Sequence, residues 1–303
     1  MKITVIIPTY NRKDKLMKVL NAFCRQSFDD FEVVIVDDGS SDGTGDMISK
    51  IKLPFKIKYL FQHNKGPATA RNLGISHAQG EIIFFTGDDI IPSSNLLSEH
   101  IKKHNVEDKK IAVLGYTKWA PQIKMTPFRR YIANYHFAYS TIKDENNVNW
   151  GLFYTSNISV HKSFLEDAGL FDEDFPFAAY EDTELSYRLT RKGLKIIFNR
   201  DALAYHDHEI SFKDYQKTML NKGKAAVILA NKIPSLSRKA SYHQTNNPLR
   251  LALKKLTLNK ITLPVFTQAI CALDELSIPL PRQTYVKILD YYRILGINYQ
   301  KKH

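Results

Sequence analysis

The first half of the chain alternates two hydrophobic rhythms. Val5-Ile6-Ile7 and residues 31–36, 57–61 and 82–85 are short β-branched or aromatic runs bounded by Gly, Pro, Asn or Asp, the pattern of buried strands. Between them, residues 15–26, 43–51 and 68–78 carry apolar side chains at helical spacing, most clearly Leu16, Val19, Leu20 and Phe23. This alternation predicts a mostly parallel sheet with helices on both faces. Further strands are predicted at 111–116, 153–160 and 195–198, and a helix over 182–191. From about Ser211 the pattern turns helical, with candidate helices at 215–229, 249–258, 262–276 and 282–295. Pro234, Pro248, Pro264 and the Pro279/Pro281 pair punctuate them. The expected division is an α/β domain over 1–210 and a helical extension over 211–303.

Composition narrows the class. The 303 residues are 44% apolar and 24% charged, ordinary values for a globular chain with a sizeable core. Cys24 and Cys271 are far apart, which excludes a disulfide scaffold and a Cys-rich zinc module. The N-terminal apolar run stops at Pro8, too short for a signal peptide or a span, and no later run approaches the roughly 18 apolar residues a span needs. A cytoplasmic location is therefore expected, with peripheral attachment to the inner face of the cell membrane as its variant.

The net charge of +12 belongs to the last third, where residues 211–303 hold 16 Lys/Arg against 4 Asp/Glu. Lys254, Lys255 and Lys260 lie among Leu249, Leu251, Leu253, Leu256 and Leu258. Such a stretch either meets an anionic membrane surface or an acceptor, or packs its leucines inward as a solvated subdomain. No recognised motif accompanies the charge, so no nucleic-acid partner is expected.

In open α/β sheets ligands bind beyond the carboxyl ends of the strands, and the polar residues cluster there. Pro8-Thr9-Tyr10-Asn11 follows the first predicted strand and Asp37-Asp38-Gly39-Ser40 the second. Asp38 is suited to accept a hydrogen bond from N3–H of uracil or thymine, with Tyr10 packing on the base. The same residues also suit a turn that caps the next helix. Asp88 and Asp89 follow the fourth strand; adjacent carboxylates repel unless a cation or solvent screens them. Mg2+ or Mn2+ shared with a diphosphate would do so, as would a solvated turn. Glu181 and Asp182 open a helix, where they complement its dipole or supply a general base for an acceptor hydroxyl. Lys65 and Arg71 flank a helix start at Gly66-Pro67 that would attract phosphate. His206, alternating with His208, offers an imidazole ligand.

In this order the segments resemble the family 2 glycosyltransferases with the GT-A fold. The segments are Val5-Ile6-Ile7-Pro8-Thr9-Tyr10-Asn11, Val36-Asp37-Asp38-Gly39, Gly66 with Ala70-Arg71-Asn72, Asp88-Asp89, Gly169-Leu170-Phe171-Asp172 and Glu181-Asp182. The resemblance covers about residues 2–210. It implies a Rossmann-like, mostly parallel central sheet flanked by helices, here with a C-terminal helical extension. It also implies inverting transfer from a nucleotide-sugar donor. Pro8, Thr9, Tyr10 and Asp38 match the base pocket, and Arg71, with Lys65 nearby, a position close to the nucleotide. Asp88 and Asp89 match the end of the DXD-type motif that binds ribose and a divalent metal, with His206 approaching the metal. Asp182 matches the catalytic base, with Glu181 beside it.

Thr86 stands where the family often has a first carboxylate, which leaves open whether Asp88 or Asp89 touches the metal. The Gln-x-x-Arg-Trp motif of processive synthases is absent, so one sugar per encounter is expected. The expected donor is a UDP-sugar, the cofactor Mn2+ or Mg2+, and the acceptor a glycan or lipid-linked hydroxyl in cell-surface polysaccharide or glycolipid synthesis. Two alternatives remain. A non-catalytic nucleotide-sugar-binding protein would bind without transfer. A sugar nucleotidyltransferase would normally carry a Gly-rich phosphate loop, and this chain has neither that nor a Walker-type loop. Tyr131, Tyr135, His136, Phe137, Tyr139 and Trp150 form an aromatic-rich stretch that either stacks on sugar faces or fills a core.

Overall fold

Alternation decides which face each strand buries. In β1 (Ile3–Thr9), Val5 and Ile7 join the core on one face of the sheet while Ile6 joins the core on the other. β4 (Ile82–Thr86) repeats this, with Ile82 and Phe84 on the first face and Ile83 and Phe85 on the second. Phe84 and Phe85 are fully buried, and truncating either to Ala would cost about 3–5 kcal/mol. The computed structural model describes residues 1–105, 109–236 and 262–302, and the side chains of Asn134 and Tyr135 are not described.

The remaining strands are β2 (Phe31–Asp37), β3 (Lys56–Phe61), β5 (Ile90–Pro92), β6 (Ile111–Trp119), β7 (Asn157–His161) and β8 (Lys195–His206). They form one eight-stranded sheet in the order β3-β2-β1-β4-β7-β6-β8-β5. β7 is antiparallel to both neighbours and β5 to β8; every other pairing is parallel. Helices α1 (Lys13–Phe23), α2 (Thr44–Lys50) and α4 (Leu96–His104) contribute to the core on one face. α3 (Pro67–His77), α6 (Lys162–Ala168) and α7 (Glu181–Arg191) cover the other. This is the expected GT-A architecture.

Three departures have local causes. β5, α4, α6 and α5 (Pro127–His136) are elements the hydrophobic pattern does not mark. β7 begins at Asn157 instead of 153, because Trp150–Leu152 closes a 3-10 turn in which Asn149 caps the Gly151 amide. β8 continues to His206 instead of stopping at Phe198. Gly115 pairs with Asn199 and Tyr116 with Leu203, so a bulge absorbs residues 200–202 and pairing resumes beyond it.

The chain divides into two compact units: Met1–Ile123 with Phe137–His208, and Lys124–His136 with Glu209–His303. The first contains the whole sheet. In the second, a Ser211–Asp214 capping box starts α8 (Phe212–Lys232). It is followed by α9 (Thr262–Glu275) and α10 (Arg282–Gln300). α8 and α10 touch at Gly223 and Gly296, where an added Cβ would collide with the carbonyl oxygens of Arg293 and Leu220. Phe128, Phe212, Tyr215 and Tyr285 pack ring on ring there. Val265, Phe266, Leu276 and Ile278 are exposed. No described helix is long and apolar enough to cross a membrane. The expected helix at 249–258, with Lys254, Lys255 and Lys260, lies outside the described residues.

Candidate active site

The parallel strands β1, β2, β4, β6 and β8 put their carboxyl ends on one edge of the sheet, where the polar segments gather. The Asp38 amide donates to the Thr9 carbonyl at 2.9 Å, joining the first two polar segments. Asp37 does the turn chemistry: its carboxylate accepts from the Ser40 amide at 2.7 Å and the Tyr59 hydroxyl at 2.7 Å. Buried Asp38 instead gathers the loop after β3, accepting from Gln62 Nε2 at 2.6 Å, Lys65 N at 2.8 Å and Gly66 N at 3.0 Å. Pro8 is half-buried, the Lys65 side chain is exposed, and the Tyr10 ring is 48% exposed.

Gly66 has a backbone only glycine adopts readily (φ +90), and a Cβ there would stand 2.7 Å from the Pro176 carbonyl oxygen. That close approach brings the segment leading to α7 against the start of α3.

Asp88 and Asp89 sit in a tight turn between β4 and β5, both buried. Thr9 Oγ1 donates to Asp88 at 2.9 Å, and Arg12 Nη1 reaches Asp88 at 3.1 Å and Asp89 at 2.6 Å. Burial, and then the Asp89 charge, push the Asp88 carboxyl up to about 6, against the pull of Arg12 and Thr9. Burial also acts to raise Asp89, but hydrogen bonds with His206 and His208 and the Arg12 charge outweigh it and hold that carboxyl well below the usual range.

The second carboxylate is the one that meets imidazoles. Asp89 Oδ2 lies 3.5 Å from His206 Nε2 and 3.3 Å from His208 Nδ1. Alternation along Tyr205-His206-Asp207-His208 leaves Asp207 to anchor the segment. Its amide donates to the Asp89 carbonyl at 2.8 Å, and its side chain accepts from Lys18 and Gln122. Trp119 packs against the His206 ring at 5.1 Å. Ligand atoms of Asp89, His206 and His208 lie within 4.8 Å of one another, a donor set of one carboxylate oxygen and two imidazole nitrogens. Such a set fits a divalent transition metal better than Mg2+, which prefers oxygen ligands throughout. Asp88, by contrast, faces Thr9 and Arg12.

At the start of α7, Arg71 Nη1 donates to Glu181 Oε1 at 2.9 Å, and the guanidinium lies over the Phe171 ring at 5.4 Å. Arg71 thus engages α7 directly. Burial, and then the Asp182 charge, push Glu181 up to about 7, with Arg71 opposing. Half-buried Asp182 accepts from the Thr183 amide at 2.7 Å. Its charge also raises the Tyr154 phenol, after burial, to about 12. The Tyr154 ring packs edge-on to Phe137 at 5.5 Å, and Phe137 to His206 at 5.9 Å. The rings of Tyr154 and Phe137 thus lead in succession to His206, and Tyr154 is within electrostatic reach of Asp182.

Most of the aromatic stretch is internal packing. Tyr139 stacks with Phe137 and Phe198 and meets Tyr116 and Tyr154 edge-on, while Tyr131 packs on Tyr285 in the second unit.

The model of the family described as glycosyl transferase family 2 matches residues 4–169. The chain belongs to that family. Among similar proteins is an uncharacterised glycosyltransferase of Bacillus subtilis (strain 168), YfnE, 27% identical over 258 residues, covering 70% of this chain and 66% of that protein. The chondroitin synthase of Escherichia coli is 25% identical over 297 residues, covering 87% of this chain but 42% of the synthase. The chain thus spans between about two-fifths and two-thirds of these relatives' lengths. Among solved structures, Staphylococcus aureus TarS 1–349 in complex with UDP superposes with a TM-score of 0.56 at 22% identity, covering 100% of this chain and 92% of that one. The mannosyltransferase PcManGT from Pyrobaculum calidifontis, in complex with GDP-Man and Mn2+, superposes with a TM-score of 0.65 at 18% identity, covering 99% and 87%. These likenesses establish the GT-A-like fold.

Arg12 and Gln62 are the site residues that sequence reasoning missed. Arg12 directly follows the Pro8–Asn11 run, and its position three residues after Thr9 was the available signal.

Proposed function

We propose that the chain is an inverting, non-processive glycosyltransferase that moves one sugar from a UDP-sugar to a hydroxyl of a glycan or lipid-linked acceptor. One observation carries this reading: the Asp89–His206–His208 group shares a sheet edge with Asp38, and the rings leading from His206 through Phe137 end at Tyr154, which feels the Asp182 charge. In this reading Asp38 accepts from the base, Tyr10 packs on it, and Asp88, oriented by Thr9, meets the ribose. Asp89, His206 and His208 would hold the metal, for which Mn2+ is the better match. When bound, the metal would neutralise charge gathering on the leaving diphosphate.

Asp182 takes the proton of the acceptor hydroxyl while that oxygen bonds the anomeric carbon. The bond to the diphosphate breaks on the opposite face and the diphosphate leaves with the electron pair. A single displacement inverts the anomeric centre. Glu181, held by Arg71, is a positioning residue for Asp182. Relatives solved with UDP and with GDP-Man and Mn2+ support a nucleotide-sugar donor and a manganese-type site. A cytoplasmic enzyme resting on an anionic membrane surface through its basic second unit completes the proposal.

The test begins with thermal stabilisation by a panel of nucleotide sugars with Mn2+, followed by release of nucleoside diphosphate. Asp182→Asn should lose about 10^2–10^4-fold in transfer with donor binding unchanged. Wild-type turnover in that variant rejects the base assignment. Stabilisation without transfer to any acceptor would favour a non-catalytic binding protein, and pyrophosphate release a nucleotidyltransferase.

A further inference from the structure

A cavity of about 410 Å3 opens in the first unit between the turn at Trp150 and the C-terminal end of α7. Asn147, Asn149, Trp150 and Thr190 line it above the aliphatic Leu194 and Ile196. No charged side chain contributes to the lining, in a chain of which 24% is charged. That argues against a metal ion, a phosphate or a nucleotide, each of which requires fixed charge or a comb of amide donors. Carboxamides, a hydroxyl and an indole instead match a neutral, hydroxyl-rich ring with one apolar face.

Local bonding leaves suitable groups available. Asn147 and Asn149 are exposed. Asn149 spends its carbonyl oxygen on the Gly151 amide at 2.9 Å, which leaves its NH2 as a donor. Thr190 donates its hydroxyl to the Ser186 and Tyr187 carbonyls, which leaves oxygen lone pairs as acceptors. The Trp150 indole is held edge-on by Tyr187 at 5.6 Å and 74°.

The cavity lies at the opposite end of α7 from the proposed base. α7 begins beside Asp182 and reaches Thr190 about 12 Å further along its axis. From Trp150 at the cavity the chain continues to Tyr154, whose phenol feels the Asp182 charge. A monosaccharide cannot bridge that distance, whereas a short oligosaccharide can.

We propose that this cavity is a remote subsite for a neutral sugar unit of an oligosaccharide acceptor whose terminal hydroxyl lies at Asp182. The proposal rests on the glycosyl-transfer reading and narrows its acceptor to a glycan of several units.

The chain has two tryptophans, Trp119 and Trp150, so intrinsic fluorescence can read the subsite without any donor. The full chain would be titrated with cello- and chito-oligosaccharides of one to six units. The expected result is a saturable emission change whose affinity rises at least tenfold from mono- to tetrasaccharide. Trp150→Ala removes the reporter itself, so its binding is followed by calorimetry, where tetrasaccharide affinity should fall at least fivefold. Asn147→Ala, an exposed position that leaves the core intact, should weaken it in the same direction. Nucleotide-sugar stabilisation should be unchanged in both variants. No saturable change with any oligosaccharide, or equal affinity in wild type and both variants, overturns the subsite. Because donor binding is scored separately, loss of the subsite with intact donor stabilisation leaves the transfer reading standing. Absent donor stabilisation in the wild type fails the transfer reading itself.

Discussion

Arg71 Nη1 lies 2.9 Å from Glu181 Oε1, a buried ion pair that ties α3 to the residue immediately before Asp182. Burial and the Asp182 charge nevertheless raise the Glu181 carboxyl to about 7. In the unfolded chain the same group titrates near 4.3. Between those values the folded protein holds a proton that the unfolded chain has released, so this group lowers stability as pH climbs through that window. Glu181→Gln removes the liability. The variant should gain on wild type by up to about 3 kcal/mol between pH 5 and pH 8. Thermal unfolding of both proteins at the two pH values checks this, and a constant difference would refute it.

Arg12 supplies the positive charge that Asp88 and Asp89 share, at 3.1 and 2.6 Å. A cation arriving at Asp89 competes with that guanidinium. Arg12→Gln should therefore tighten Mn2+ binding in the absence of donor, by about tenfold or roughly 1.4 kcal/mol. Calorimetry measures this directly. Unchanged or weaker binding would mean that Arg12 supports the metal site instead of competing for it.

The second unit combines basic charge with exposed Val265, Phe266, Leu276 and Ile278, the chemistry of a surface that meets anionic lipid. The full chain should pellet with vesicles containing phosphatidylserine and stay in solution with purely zwitterionic ones. The bound fraction should fall steeply at about 0.5 M salt, where charge interactions are screened within a few ångströms. Equal partition into both vesicle types would remove the membrane from the proposal.

Gly223 and Gly296 allow α8 and α10 to approach backbone to backbone. Gly223→Ala forces the helices apart and should cost about 1–3 kcal/mol, the usual penalty of overpacking. The readout is the unfolding midpoint in denaturant; an unchanged midpoint would show that the crossing yields freely.

The sequence revealed the site to the extent that the site depends on strand ends. Asp38, Asp88 and Asp89 follow apolar runs whose burial is unambiguous, so their common edge follows from the parallel topology alone. Which carboxylate meets the imidazoles depends on a turn of two residues, and hydrophobic pattern says nothing about that. β8 is the instructive failure. Asn199-Arg200-Asp201 looks like the end of a strand, yet a bulge opposite Gly115 carries the strand past it to His206. Arg71 was expected near the nucleotide, and its engagement with Glu181 depends on a contact across 110 residues. The same limit hid the membership of residues 124–136 in the second unit, where the Phe128 amide donates to Asp274 at 2.7 Å.

The slip between Gly115 and Tyr116 divides β8 into two halves with independent phase. The half before it, Lys195 to Asn199, keeps its register with β6 whatever happens beyond. In the half after it, one residue gained or lost at 200–202 would reverse inside and outside for every following side chain. His206 and His208 would then turn away from Asp89 together. A change of length at that corner would thus keep the sheet while dispersing the three side chains that Asp89, His206 and His208 now bring together.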